Sequence, residues 1–184
     1  MKKDDLRKTG KLKRKELSLQ EVLEKSNKAA DIFINSELYQ KANVMMLYYP
    51  LGNETDTSYI LKKALSDKKT VLYPITDINT NEITPIIVNS ETRFEKGVYS
   101  VFEPTEKTVY NGEIDVILVP GIAFDKRGFR VGFGKGCYDR FLKMTDTVKI
   151  GFCYDFQIDD EIDNDSFDIK MDILVSESGM IVCE

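Results

Sequence analysis

The 184-residue chain contains no histidine. That absence removes a Ser-His-Asp triad, a Cys-His nucleophile pair and any histidine-ligated metal centre. Cysteine is nearly as scarce: Cys137, Cys153 and Cys183 are odd in number, widely spaced and free of any C-x-x-C, which argues for reduced thiols and against a zinc site. Long apolar runs are missing too. Residues 116–119 form one of the longest, far too short to span a bilayer, and the N-terminus opens on charge with no apolar stretch behind it. Neither a membrane span nor a secretory signal is expected, and a cytoplasmic location is. Catalysis in such a chain has to rest on carboxylates, lysine, arginine, backbone amides and a hard cation such as Mg²⁺.

What is present suits a folded protein. Hydrophobic residues make up 42% and charged residues 31%, a globular balance, and the length fits a single domain over residues 1–184. Charge is unevenly spread. Residues 1–15 carry eight basic and two acidic side chains, a net +6, which leaves −11 for the rest of a chain whose total is −5. Three readings follow for this basic end: a solvated helix, a phosphate clamp, or a nucleic-acid-binding arm. The acidic remainder repels a polyanion and weighs against the last, so no nucleic-acid partner is expected.

Residues 3–16 read as a first helix. Ser18-Leu-Gln-Glu21 is a capping box that starts a second, running to about Ile34. Apolar runs at residues 44–49, 70–73, 83–88, 115–119, 148–154 and 172–175 read as strands, the first two stopped by Pro50 and Pro74. Residues 53–57 are a polar turn, and 58–65 and 136–144 have helical spacing. Residues 88–111 are less regular and predict loops or an added hairpin. Alternating strands and helices predict a three-layer α/β/α sandwich with a mainly parallel sheet. Ligands of such folds gather at strand carboxyl ends, where the polar segments 50–57, 120–138 and 155–168 are expected to meet.

The densest signal is Gly132-Phe133-Gly134-Lys135-Gly136-Cys137-Tyr138-Asp139. Glycines let backbone N–H groups approach an anion, and a following helix adds its N-terminal amides. Lys135 and Arg130 supply charge, and Asp139 can hold a metal or orient the lysine. Neither a Walker A loop nor a kinase signature fits, because Lys135 is followed by glycine and the spacing is G-x-G-x-G. Taken alone, such a loop also serves as a mere tight turn.

The longer string from Leu118 through Val-Pro-Gly-Ile-Ala-Phe-Asp125 and Gly128-Phe-Arg130-Val131-Gly132 to Asp139-Arg140 resembles the signature of 5-formyltetrahydrofolate cyclo-ligases. That signature runs roughly V-P-G-x-A-F-D-x-x-G-x-R-L-G-x-G-x-G-Y-Y-D-R. Lys3-Asp-Asp-Leu6-Arg7 is similar to the family's N-terminal K-x-x-L-R, and Glu54-Thr-Asp-Thr57 to its E-[VI]-x-T segment. Gly97 to Pro104 matches G-x-x-x-I-x-E-P, and Phe167-Asp168 with Asp172 matches the closing H-D-x-x-x-D. Cys137 replaces a usual tyrosine and is expected to be a packing substitute, not a nucleophile. Phe167 replaces a usual histidine, so here that histidine is either dispensable or replaced by another group.

The resemblance implies an enzyme that uses ATP and Mg²⁺ to turn 5-formyltetrahydrofolate into 5,10-methenyltetrahydrofolate, releasing ADP and phosphate. ATP phosphorylates the formyl oxygen, N10 attacks the activated carbon, and phosphate departs. Such a transfer needs alignment and charge neutralisation more than an enzymic nucleophile. Lys3, Arg7, Arg130 and residues 131–138 (Val131, Gly132, Phe133, Gly134, Lys135, Gly136, Cys137, Tyr138) are expected to bind ATP, with Lys135 also catalytic. Asp139 and Asp168 are expected to hold Mg²⁺, with Asp172 as second choice or a strand-boundary residue. Glu54 is expected to orient N10 or take its proton, and Tyr49 to line the pterin pocket. A monomer is expected. The competing readings are a sugar-phosphate isomerase sharing the phosphate loop, and a nucleotide-binding module without turnover.

Overall fold

The computed structural model describes residues 2–184. Helix α1 (Lys3–Glu16) opens with Asp4 and Asp5 and closes with Lys13, Arg14 and Lys15, so each end carries the charge its backbone dipole favours. Helix α2 (Leu19–Ile34) begins at the expected capping box. Glu21 N–H donates to Ser18 Oγ at 3.2 Å, and Glu21 Oε2 accepts from Ser18 N–H at 2.8 Å. A short helix α3 (Glu37–Lys41), not foreseen in the sequence, follows a serine cap at Ser36.

The apolar run at 44–49 supplies only β1 (Val44–Met46), although Leu47 N–H carries the ladder one step further to Leu72 O. Helix α4 (Ser58–Ser66) then leads to β2 (Thr70–Thr76) and the antiparallel β3 (Ile83–Val88). Here one expectation is corrected: Pro74 does not stop β2 but pairs with Pro85 of β3. Pro85 O accepts from Tyr110 N–H, in a segment running along the far side of β3, so the absent proline N–H groups fall where no bond between β2 and β3 is due. The irregular stretch does form a hairpin, β4 (Phe94–Lys96) with β5 (Phe102–Pro104).

After β6 (Val116–Val119) the chain makes a second unforeseen hairpin, β7 (Ala123–Asp125) with β8 (Arg130–Val131). Its turn is built on the buried Asp125 carboxylate, which accepts from the backbone N–H groups of Arg127, Phe129 and Ile162 and from the Arg127 guanidinium. Gly128 completes the turn at φ +91°, and a Cβ there would collide with the Met171 carbonyl oxygen. Helix α5 (Cys137–Lys143), β9 (Val148–Phe152), β10 (Ile158–Asp159), β11 (Ile173–Ser176) and β12 (Gly179–Val182) follow.

The main sheet has seven strands in the order β12-β11-β9-β6-β1-β2-β3. The five inner strands run parallel, and β3 and β12 close the edges antiparallel. Both faces are apolar, as a covered parallel sheet requires. On one face Phe33, Tyr39 and Ile60 from α2–α4 pack with Met45, Tyr73 and Leu118. On the other, Phe141 and Leu142 of α5 and Phe124 of β7 pack with Met46, Leu72 and Ile117. The three layers are therefore as expected, but the second outer layer is one helix plus the small sheet β10-β7-β8. Helix α1 rests on that small sheet, where Leu6 packs with Ala123, Val131 and Ile162.

The chain passes from β1 to β2 on one side and then returns to place β6 on the other side of β1. The carboxyl ends of β1 and β6 thus flank the switch point at which open α/β sheets form their ligand crevice.

Candidate active site

The strand β6 feeds one wall of the cleft. From β6 the chain runs through β7 and β8 into the glycine-rich loop, where Gly134 and Gly136 take φ of +96° and +66°. Gly136 is also the residue that caps the start of α5. The loop shares a cleft of about 810 Å³ with Lys3 and Arg7 of α1 and with Asp165, Phe167 and Asp168. Lys3, Arg7, Arg130, Gly132, Phe133, Gly134, Lys135, Gly136, Cys137, Tyr138, Asp139 and Asp168 therefore meet in one place, as the sequence predicts.

Val131 does not join them. It is fully buried in the cluster beneath α1, and its main chain is used to pair with β7, with its carbonyl accepting from Ile122 N–H at 2.7 Å. Tyr49 also lies elsewhere. It stacks on Phe102 at 5.0 Å and lines a smaller hollow of about 120 Å³ with Thr57, Tyr73 and Phe94. Asp172 is a strand-boundary residue: its carboxylate accepts from Lys149 N–H at 2.7 Å.

The cations of the cleft are held in place by other groups. Lys3 Nζ sits 2.6 Å from Asp165 and 2.5 Å from Asp168. Burial pulls the Lys3 ammonium down, but its bonds to the two aspartates outweigh that and raise its pKa above the ordinary lysine value. Arg7 Nε donates to Gly132 O at 3.1 Å, which ties α1 to the loop. Arg130 donates to Asp139 at 2.9 Å, and its buried Nε–H finds no acceptor among the described residues. Lys135 is exposed, with Nζ 5.5 Å from the centre of the Tyr99 ring, and Arg140 steadies its carbonyl with a 2.7 Å bond. Burial pushes the Cys137 thiol up, which keeps it protonated and fits a packing role over a nucleophilic one.

Glu54 is not at the surface of a turn. It is buried at the carboxyl side of β1, with Oε1 3.2 Å from Arg14 Nη1 and Oε2 accepting from Leu51 N–H at 2.8 Å. Burial raises its pKa, and Arg14 and the Leu51 N–H offset this only in part. Tyr138, which lines the cleft, has a buried hydroxyl with no partner among the described residues. Burial first, then the Glu54 charge, raises its pKa.

The sequence reading did not include Arg14 or Asp165. Arg14 was legible in principle, since positions 3, 7, 10 and 14 fall on one helix face. Asp165 was not, because nothing local separates it from its acidic neighbours.

A doubly covered parallel sheet with a cationic, glycine-lined cleft at its switch point defines a class: α/β proteins that present anion-binding amides and lysine or arginine at strand carboxyl ends. The comparison with known proteins narrows this. The model of the 5-formyltetrahydrofolate cyclo-ligase family matches residues 1–177, and the chain belongs to that family. It is 31% identical to the 5-formyltetrahydrofolate cyclo-ligase of Mycoplasma genitalium, with 94% of this chain and 96% of that protein aligned. A solved structure of Aquifex aeolicus 5,10-methenyltetrahydrofolate synthetase superimposes with a TM-score of 0.86 at 35% identity, covering 98% of this chain and 92% of that one. The 5,10-methenyltetrahydrofolate synthetase from Mycoplasma pneumoniae gives 0.76 at 27% identity, covering 96% and 99%.

Proposed function

We propose that this enzyme converts 5-formyltetrahydrofolate and ATP into 5,10-methenyltetrahydrofolate, ADP and phosphate, acting as a monomer in the cytoplasm. The observation that carries this reading is the meeting of Lys3, Arg7, Arg130, Lys135 and the glycine loop in one cleft. No helix among the described residues is long and apolar enough to cross a membrane. The test is direct: absorbance in the methenyl-folate band should rise when protein, Mg-ATP and 5-formyltetrahydrofolate are mixed. No rise with folded protein overturns the proposal. Release of phosphate from ATP without methenyl-folate would favour a different acceptor.

A formamide oxygen is a poor leaving group, and its phosphorylation makes it a good one. The chain's part is to align the partners and to neutralise charge. The loop amides with Lys135 and Arg130 cradle the phosphates, and the spare Arg130 Nε–H gives that side chain a further donor. Lys3 and Arg7 close over the nucleotide from α1. Glu54, bonded to Arg14, orients N10 and takes its proton as the ring closes. Burial raises its pKa, which makes the carboxylate a stronger base.

Among the described residues no three acidic or thiol side chains gather into a metal cage. Of the aspartates that line the cleft, Asp139 is held by Arg130 and Asp168 by Lys3. That pair fits Mg²⁺, which commonly takes one or two carboxylates and completes its shell with water and phosphate oxygens. Asp139 and Asp168 are the residues that would hold it, and when bound it supplies charge neutralisation at the phosphates. Asp139→Asn and Asp168→Asn should each raise the Mg²⁺ concentration at half-maximal activity. An unchanged midpoint in both rules them out as ligands.

The basic N-terminus gives a further expectation. Lys3 and Arg7 touch the cleft, whereas Lys8 and Lys15 are exposed on α1. The pair Lys3→Ala/Arg7→Ala should weaken ATP binding by about tenfold or more, the worth of one charge-assisted hydrogen bond. Lys8→Ala/Lys15→Ala should leave it unchanged at fixed salt. Equal effects in the two pairs would support the polyanion-arm reading, whose contacts add in a graded, salt-dependent way.

A further inference from the structure

Arg14 is one of few arginines in the chain that is itself buried, and it has two neighbours from distant segments. Its Nη1 meets Glu54 Oε1 at 3.2 Å. Its guanidinium carbon lies 5.6 Å from the centre of the Phe133 ring, at the tip of the glycine-rich loop. Lys11 Nζ sits 5.4 Å from the same ring, so α1 grips the loop tip through two cations. The backbone is fixed as well: Asn53, next to Glu54, donates its side-chain amide to the carbonyls of Arg14 at 2.9 Å and Leu17 at 3.0 Å.

Burying a single Arg–Glu pair adds little net stability, because desolvation of both charges offsets their attraction. This pair therefore calls for a reason other than stability. The geometry supplies one. With Oε2 on the Leu51 N–H and Oε1 on Arg14, the carboxylate of Glu54 has a fixed plane and a free lone pair on each oxygen. The groups bonded to it are Arg14 from α1 and the Leu51 N–H from its own turn, and the phenols of Tyr48 and Tyr138 feel its charge. Arg14 is the one cation among them.

We propose that Arg14 is the positioning residue for Glu54, aiming its carboxylate and, through Phe133, joining that aim to the placement of the glycine-rich loop. This rests on the ring-closure role given to Glu54 above. Arg14 touches neither nucleotide nor folate in this reading; it acts through Glu54.

The test is a double-mutant cycle read as the rate of methenyl-folate formation at saturating substrates. Arg14→Lys keeps the charge, and so the fold, but loses the rigid fork. In the background with Glu54 intact it should slow ring closure by about 10–100-fold, the cost of a small misplacement at a reacting centre. In the Glu54→Gln background it should cause no further loss. Equal losses in both backgrounds, or no loss with Glu54 intact, overturn the proposal. Normal cyclisation by Glu54→Gln alone overturns the Glu54 reading and the proposal with it, so the two failures are told apart. A second measurement uses Arg14→Gln. Removing the nearby positive charge raises the pH at which Glu54 ionises, so the acid limb of kcat/KM should move up by about 1–3 pH units. Arg14→Lys should leave that limb where it is. A limb unmoved in folded Arg14→Gln shows a merely structural role, and if that variant does not fold the cycle alone decides.

Discussion

Glu54→Gln is expected to slow ring closure by about 10²–10⁴-fold, the usual contribution of a positioned general base. Nucleotide affinity should survive, because Glu54 is absent from the cleft lining and the loop cations have their own partners. Glutamine keeps the shape and its one carbonyl oxygen can still accept from Arg14, so the fold should hold with the loss of only the Leu51 N–H bond. Glu54→Ala is different in kind, since it strands a buried arginine, at a stability cost of about 3–5 kcal/mol for breaking a buried pair. The comparison of the two by single-turnover absorbance and by melting temperature separates chemistry from folding. Ring closure at the normal rate in Glu54→Gln would return Glu54 to a structural role.

Lys135→Ala should lose about 10²–10³ in rate, the effect of deleting one preorganised donor at a charge that develops in the transition state. The stability change should be small, within about 0.5 kcal/mol, as for other exposed side chains. Lys135 touches the Tyr99 ring but no buried group in the lining, and the loop keeps its shape through the Arg140 bond to the Lys135 carbonyl. Activity and thermal unfolding measured on the same sample give the answer. A stable variant with full activity would remove the phosphate-cradle role from this lysine.

The features legible in the sequence are those with local causes. Ser18 and Glu21 fix the start of α2 because both halves of the capping box lie within four residues. The parallel strands show as unbroken apolar runs because both of their faces are covered. The glycine loop shows because positive φ demands glycine at 134 and 136. What stayed hidden depends on distant partners. Pro74 is tolerated because its missing N–H falls where no bond to β3 is due. The β7–β8 hairpin looked like polar loop because Asp125, a turn residue by type, is buried under donors from Arg127, Phe129 and Ile162. The burial of Glu54 was not legible, since its counter-charge is forty residues away in the sequence. Val131, matched by pattern to the loop, turned out to face the core.

The placement of α1 also sets an order of events during synthesis. The front of this helix is anchored by Ala123, Val131, the Gly132 carbonyl, Ile162, Asp165 and Asp168, all from the far end of the chain. A lone fourteen-residue helix is marginal in water, so α1 settles only after the later segments that anchor it have been made. At translation speeds of roughly 5–20 residues per second, that wait is on the order of ten seconds. During it the nascent chain has a growing sheet but only part of the cleft wall. The cationic cleft is therefore completed only after Asp165 and Asp168 have emerged to hold Lys3.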